Sequence, residues 1–276
     1  MSEHTQGWIA RHPLLSFFGL AYAISWAVEL PIALSARGLV AAEVHPGIHF
    51  FAGLGPLLAA FIVTAVTAGR AGVGELWARV VKWRVGTGWL LFGLLSVPAL
   101  YLASAIAVRL GSGTWPDLGR FGTVFEFPAL GAAVGMLLHL FGFGFGEEVG
   151  WRGFALPRLQ RRHSALAATF ILSIFWALWH LPMFFYKENF MAMGVGGTIM
   201  FFLSMFAGAI LLTWLYNSTR GSVLMVALWH GLLNAATARA EPNVQTIFYT
   251  VVFIGVALIL IIAKPADLSR AGKQVL

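Results

Sequence analysis

Cysteine is absent from the 276 residues, which excludes disulfides, thiolate metal sites and a cysteine nucleophile together. Charge is scarce: Asp, Glu, Lys and Arg make up 11% of the chain, against roughly 25% in a soluble domain. Aspartate occurs only at Asp117 and Asp267. Apolar residues fill the space instead, at 59%, including 23 Phe and 11 Trp. A globule of 29.9 kDa has too much surface to hide that excess. The composition excludes soluble, secreted, fibrous and nucleic-acid-binding classes, although the formal net charge is +7. This is the composition of an all-α integral membrane protein.

Windows of about 20 residues, the length that crosses a bilayer as helix, find eight apolar stretches: 13–35, 48–68, 88–108, 129–151, 167–186, 196–216, 222–238 and 244–263. These predict a bundle of about eight transmembrane helices. The first stretch is too long for a signal-peptide core and is expected to remain as a span. The connections at 69–87 and 109–128 are too short to fold alone, so residues 1–276 read as one polytopic membrane domain. Of 18 Lys and Arg residues, 13 lie on the side of the termini and of the connections after stretches 2, 4 and 6. The positive-inside rule then places both termini in the cytoplasm. The clusters Arg79, Lys82, Arg84 and Arg158, Arg161, Arg162 would face anionic headgroups, which accounts for the basic balance without nucleic acid.

Ionisable groups inside spans carry the most information, because a charge at the bilayer centre costs ~2.5 to 3.5 kcal/mol on insertion scales. Glu29, near Pro31, is expected to be an interfacial anchor. His139 lies eight residues before Glu147 on the same predicted helix, and is a marginal candidate. The rest form one group: Glu147 and Glu148 in Gly146-Glu147-Glu148-Val149-Gly150-Trp151-Arg152, His180, and His230 with Asn234. The tetrapeptide Ala-Leu-Trp-His ends at both His180 and His230. An antiparallel hairpin turning at Arg161-Arg162-His163-Ser164 would bring Glu147 and His180 level. A third helix starting near Gly221 would carry His230 to a similar depth, with Asn234 on the same face one turn later. Independent polar contacts gluing helices together are the plain alternative. Four such groups at one depth are a costly way to pack, so a site is the better reading.

The adjacent carboxylates diverge by ~100° on a helix. Glu148 and Arg152 stand at i, i+4 in the favourable order and would neutralise each other, which leaves Glu147 free as a general base. Gly142, Gly144, Gly146 and Gly150 thin this helix, either for close packing or for approach of a substrate backbone. A Glu base, two imidazoles and an amide suit water activation with stabilisation of an oxyanion, the needs of peptide-bond hydrolysis. An aspartyl design lacks its two membrane Asp, a serine design lacks a nucleophile with a His partner, and no His-Glu-x-x-His helix occurs.

The ordered motifs Glu-Glu-x-x-x-Arg at 147–152, an aromatic-x-x-x-His ending at His180, and His-x-x-x-Asn at 230–234 resemble the CPBP family of intramembrane metalloproteases. That family includes the type II CAAX prenyl endopeptidases and the bacterial Abi proteins. The resemblance covers about 90 residues from Glu147 to Asn234, within a motif-bearing core at 129–238. It implies an eight-span membrane endopeptidase in which Glu147 activates water, Glu148 and Arg152 support it, and His180 completes the water or metal site. His230 and Asn234 would form the oxyanion hole. Trp176 stands where the family pattern has Phe, a difference expected to touch only packing. Glu147, His180 and His230 could ligate a divalent metal, zinc foremost, with a water position free; the same groups could polarise water without metal. The expected partner is a peptide or membrane-protein substrate, lipidated or not, and Phe184, Phe185, Met200, Phe201 and Met205 could line a groove for a lipid. A proton-coupled transporter and a non-enzymatic scaffold or immunity protein are the alternatives from other classes.

Overall fold

The computed structural model describes residues 7–276, which contain helices and connections but no strand. Eight helices organise the chain: α1 Pro13–Ala36, α2 Leu54–Val80, α3 Thr87–Ser112, α4 Ala132–Gln160, α5 Ala165–Trp179, α6 Gly194–Ser218, α7 Val223–Thr237 and α8 Pro242–Ile262. All except α7 are long and apolar enough to cross a membrane, counting α2 from its short lead-in at Pro46 and α5 with its extension to Phe185. The multi-span expectation is met by seven such helices and a shorter eighth. At 15 residues, α7 rises only ~22 Å. Most of its side chains are buried against the other helices, so it is a core element rather than a lipid-facing span.

Local chemistry fixes the helix ends. Pro13 and Pro242 occupy first-turn positions, where the missing N–H costs nothing. Ser164 caps α5 by accepting the Ala167 amide, and Ser222 caps α7 through the Met225 amide. The connection expected at 69–87 is itself largely helical: α2 breaks at Gly69 (φ 59°), a left-handed conformation that glycine adopts freely, and resumes to Val80.

The central helix α4 is irregular in the place that matters. Two π-helical stretches, His139–Phe145 and Trp151–Ala155, bracket Gly146–Gly150, the turn that carries both glutamates. Such widened turns concentrate at functional sites because they re-aim side chains. The four glycines of α4 around the glutamates, Gly142, Gly144, Gly146 and Gly150, are packing positions. A methyl group at Gly146 would strike the Gly53 backbone, at Gly150 Pro56, at Gly142 Phe50, and at Gly144 the Ala227 carbonyl. They let the α2 entry and α7 come close to α4. No open space remains beside them for a substrate strand.

Candidate active site

Glu147 is buried, and its Oε2 accepts the Trp176 indole N–H at 2.5 Å and, more weakly, the Trp151 N–H at 3.4 Å. Glu148 turns the other way, as its neighbouring phase on the helix requires. Its Oε1 accepts from Arg152 Nη1 and from His230 Nδ1, both at 2.8 Å, and Glu148 and Arg152 have no solvent exposure at all. The two carboxylates therefore have different partners and different surroundings. Arg152 also lies over the Trp176 ring at 4.5 Å. That contact offsets part of the desolvation of a guanidinium whose Nε and Nη2 make no hydrogen bond.

His180 sits at the end of α5, where Pro182 prevents the helix from continuing. Its Nδ1 bonds the Trp176 carbonyl at 2.8 Å. A carbonyl can only accept, so Nδ1 carries the proton and Nε2 is left as an acceptor. His230 is buried, with its ring edge-on to Trp176 at 5.5 Å. Asn234 follows one turn later on α7, half-buried, with no side-chain hydrogen bond to any described residue. The hairpin turn does fall at Arg161–Ser164, and three helices deliver Glu147, Glu148, His180 and His230 around a single indole.

Trp176 is thus the hub of the arrangement. It donates to Glu147, accepts from His180 through its backbone, and supports Arg152 and His230 on its ring. This corrects the expectation that its difference from the family's Phe concerns packing alone: a Phe has no N–H to give the carboxylate. Removing that donor by Trp176→Phe should leave Glu147 with only the long Trp151 contact. Peptide turnover is expected to fall about 10- to 10²-fold, a typical cost of a misplaced catalytic group, with a much smaller change in KM. A variant with wild-type turnover would return Trp176 to a packing role.

Other expectations change. Glu29 is fully buried rather than interfacial and accepts the Tyr186 hydroxyl at 3.3 Å. His139, the marginal candidate, is buried among Phe50 and Phe143 and bonds none of the site residues. The tentative three-ligand metal site is not formed. Among the described residues no three His, Asp or Glu side chains are gathered closely enough to hold an ion. The histidine tautomers suit ligation through Nε2, since a metal-bound imidazole commonly donates its other nitrogen to a carbonyl or carboxylate. The Glu147 carboxylate, however, is turned onto two indoles. The donors as arranged do not fit an ion.

A further polar group escaped the sequence reading. Lys187 bonds Glu126 at 3.0 Å and His49 Nε2 at 3.1 Å, tying the connection before α4 to the α2 entry and to the segment after α5. Burial alone would raise the Glu126 carboxyl, but the adjacent Lys187 ammonium and His49 outweigh it and hold Glu126 below the usual range. These three residues lie far apart in sequence within ordinary-looking connections, so no local signal marks them.

A buried carboxylate beside an anchored histidine, inside a bundle of helices long and apolar enough to cross a membrane, is an arrangement suited to hydrolysis within a membrane. Residues 129–236 match the protein family described as Type II CAAX prenyl endopeptidase Rce1-like. The chain is also 26% identical over 242 residues to CAAX prenyl protease 2 of Methanococcus maripaludis, covering 83% of this chain and 88% of that protein. Both matches agree with the motif resemblance: residues 129–236 are similar to that family, and the similarity supports a multi-pass membrane protease.

Proposed function

We propose that the protein hydrolyses peptide bonds near the C-terminus of prenylated or otherwise lipidated proteins, using water activated by Glu147. The observation that carries the reading is the division of labour between the glutamates. Glu148 is engaged by Arg152 and His230, while Glu147 keeps one oxygen, Oε1, without a protein partner. A water held between Glu147 and the Nε2 acceptor of His180 gives its proton to the carboxylate as it attacks the scissile carbonyl. Glu147 then returns that proton to the departing amine. No step here depends on a metal.

The oxyanion needs donors, and α7 supplies them. With Nδ1 against the Glu148 carboxylate, an imidazolium at His230 has its charge compensated and Nε2–H free to donate. The unengaged Asn234 amide is the second donor. Loss of one oxyanion donor costs about 10² to 10³ in rate, so Asn234→Ala should lower kcat by that factor while KM stays near its wild-type value. Unchanged kcat with a raised KM would move Asn234 from catalysis to substrate binding.

Cleavage of matched prenylated and unprenylated C-terminal peptides by the purified protein in detergent tests the reading directly. Cleavage of the prenylated peptide alone, or far faster, is expected; no cleavage of either would overturn it.

The excess of basic residues on the side of both termini and the α4–α5 turn supports a cytoplasmic orientation of that side, from which the substrate would approach. Reporters fused after Leu276 and inserted at Arg161 should both read cytoplasmic. An external signal from either reverses the orientation.

A further inference from the structure

Four arginines face one cleft at the end of the bundle where α4 meets α5. Arg158 lies in the last turn of α4, Arg161 and Arg162 form the turn itself, and Arg11 stands just before α1. The cleft has a volume of about 320 Å³ and is floored by Leu14 and Leu15 of α1. No described carboxylate lies within ion-pair distance of any of the four. Arg158 Nη1 bonds the Phe154 carbonyl at 3.0 Å, and the guanidinium groups of the other three make no hydrogen bond to a described residue. Like charges lining one space repel unless an anion separates them. Among the described residues, no acid compensates them.

The walls of the cleft are as informative as its charge. Leu15 is 59% exposed at the start of a membrane-spanning helix, so apolar surface runs straight from the arginines toward the hydrocarbon. A ligand that fits carries a phosphate on an acyl-bearing body. We propose that this cleft binds the phosphate headgroup of an anionic phospholipid, the guanidinium groups holding the phosphate and Leu14 and Leu15 meeting the chains. Guanidinium forks match phosphate oxygens in pairs, which a diffuse lysine-rich surface does not. Headgroup binding would also fasten α1 to α4. Arg158 packs over Phe154 at 3.6 Å, Phe154 stacks on Phe17 of α1 at 4.9 Å, and Phe17 meets Trp151, the second indole on Glu147. The bound lipid is therefore a clamp on the helix pair that backs the active site.

The test is a lipid titration of the detergent-solubilised full chain, read as the rise in Tm. Dioleoylphosphatidylglycerol should raise Tm saturably, whereas dioleoylphosphatidylcholine and sodium phosphate at matched ionic strength should not. Each arginine near a headgroup is worth about fivefold in affinity, so Arg161→Gln with Arg162→Gln should raise the half-saturating lipid concentration roughly twentyfold or more. Arg11→Gln, outside the hairpin turn, should raise it about fivefold and keeps the test sound if the double variant folds poorly. Arg84→Gln, a basic residue outside the cleft, should leave it unchanged. Equal stabilisation by phosphatidylcholine would overturn the site. So would equal loss in Arg84→Gln, which would indicate a general surface field, or undiminished binding in both cleft variants. Stabilisation by sodium phosphate alone would reassign the cleft to a soluble phosphate compound.

Discussion

Glu147→Gln is expected to abolish peptide cleavage while leaving the protein folded. The substitution keeps the shape of the side chain, and its amide oxygen can still accept the Trp176 N–H that the carboxylate now holds at 2.5 Å. What disappears is the capacity to take a proton from water. General acid–base catalysis contributes about 10² to 10⁴ in rate, so turnover should fall by at least that factor in a detergent assay. Thermal stability should match the wild type, because no buried ion pair is broken. Retained cleavage by a well-folded Glu147→Gln variant would remove the carboxylate from the chemistry and leave His180 as the surviving base.

That expectation rests on features with very different legibility in the sequence. The Glu148–Arg152 pair was readable because i, i+4 spacing is a local rule. The separation of the glutamates was readable for the same reason, since adjacent helical positions cannot share a direction. The level meeting of Glu147 with the histidine helices followed from counting residues about the turn at Arg161–Ser164, and needed only the rise per residue. Trp176 reads in the sequence as a packing residue, because nothing local indicates that an indole N–H points across to another helix. Glu29 looked interfacial for want of knowledge of Tyr186, 157 residues away. The π stretch at His139–Phe145 is a tertiary adjustment around α7 and the α2 entry, and the Gly-rich sequence permits it without announcing it. The cluster of Lys187, Glu126 and His49 joins three connections, which is where periodicity carries no signal. Spans and motifs are local and survive translation from sequence to structure; hydrogen bonds between helices are not local.

The largest stability effect should come from the second glutamate. Glu148→Gln removes the charge that compensates Arg152, a guanidinium with no solvent exposure, and weakens the bond that orients His230. Breaking a buried pair by removing one partner typically costs about 3 to 5 kcal/mol, because the remaining charge is left desolvated and alone. Glu148→Gln should therefore lose stability on that scale in thermal or denaturant unfolding, well beyond any change in Glu147→Gln. It should also lose activity, since His230 would no longer be held for the oxyanion. Replacing both members, as Glu148→Gln with Arg152→Met, leaves no isolated charge. It should recover much of the stability but not the activity: Met can pack against the Trp176 ring in place of the guanidinium, while His230 still lacks its carboxylate partner. This divergence separates the pair's structural role from its catalytic one. If Glu148→Gln is as stable as the wild type, or the double variant is less stable than the single, then the pair within α4 is not what stabilises the fold, and apolar packing such as Gly144 against Ala227 of α7 carries it instead.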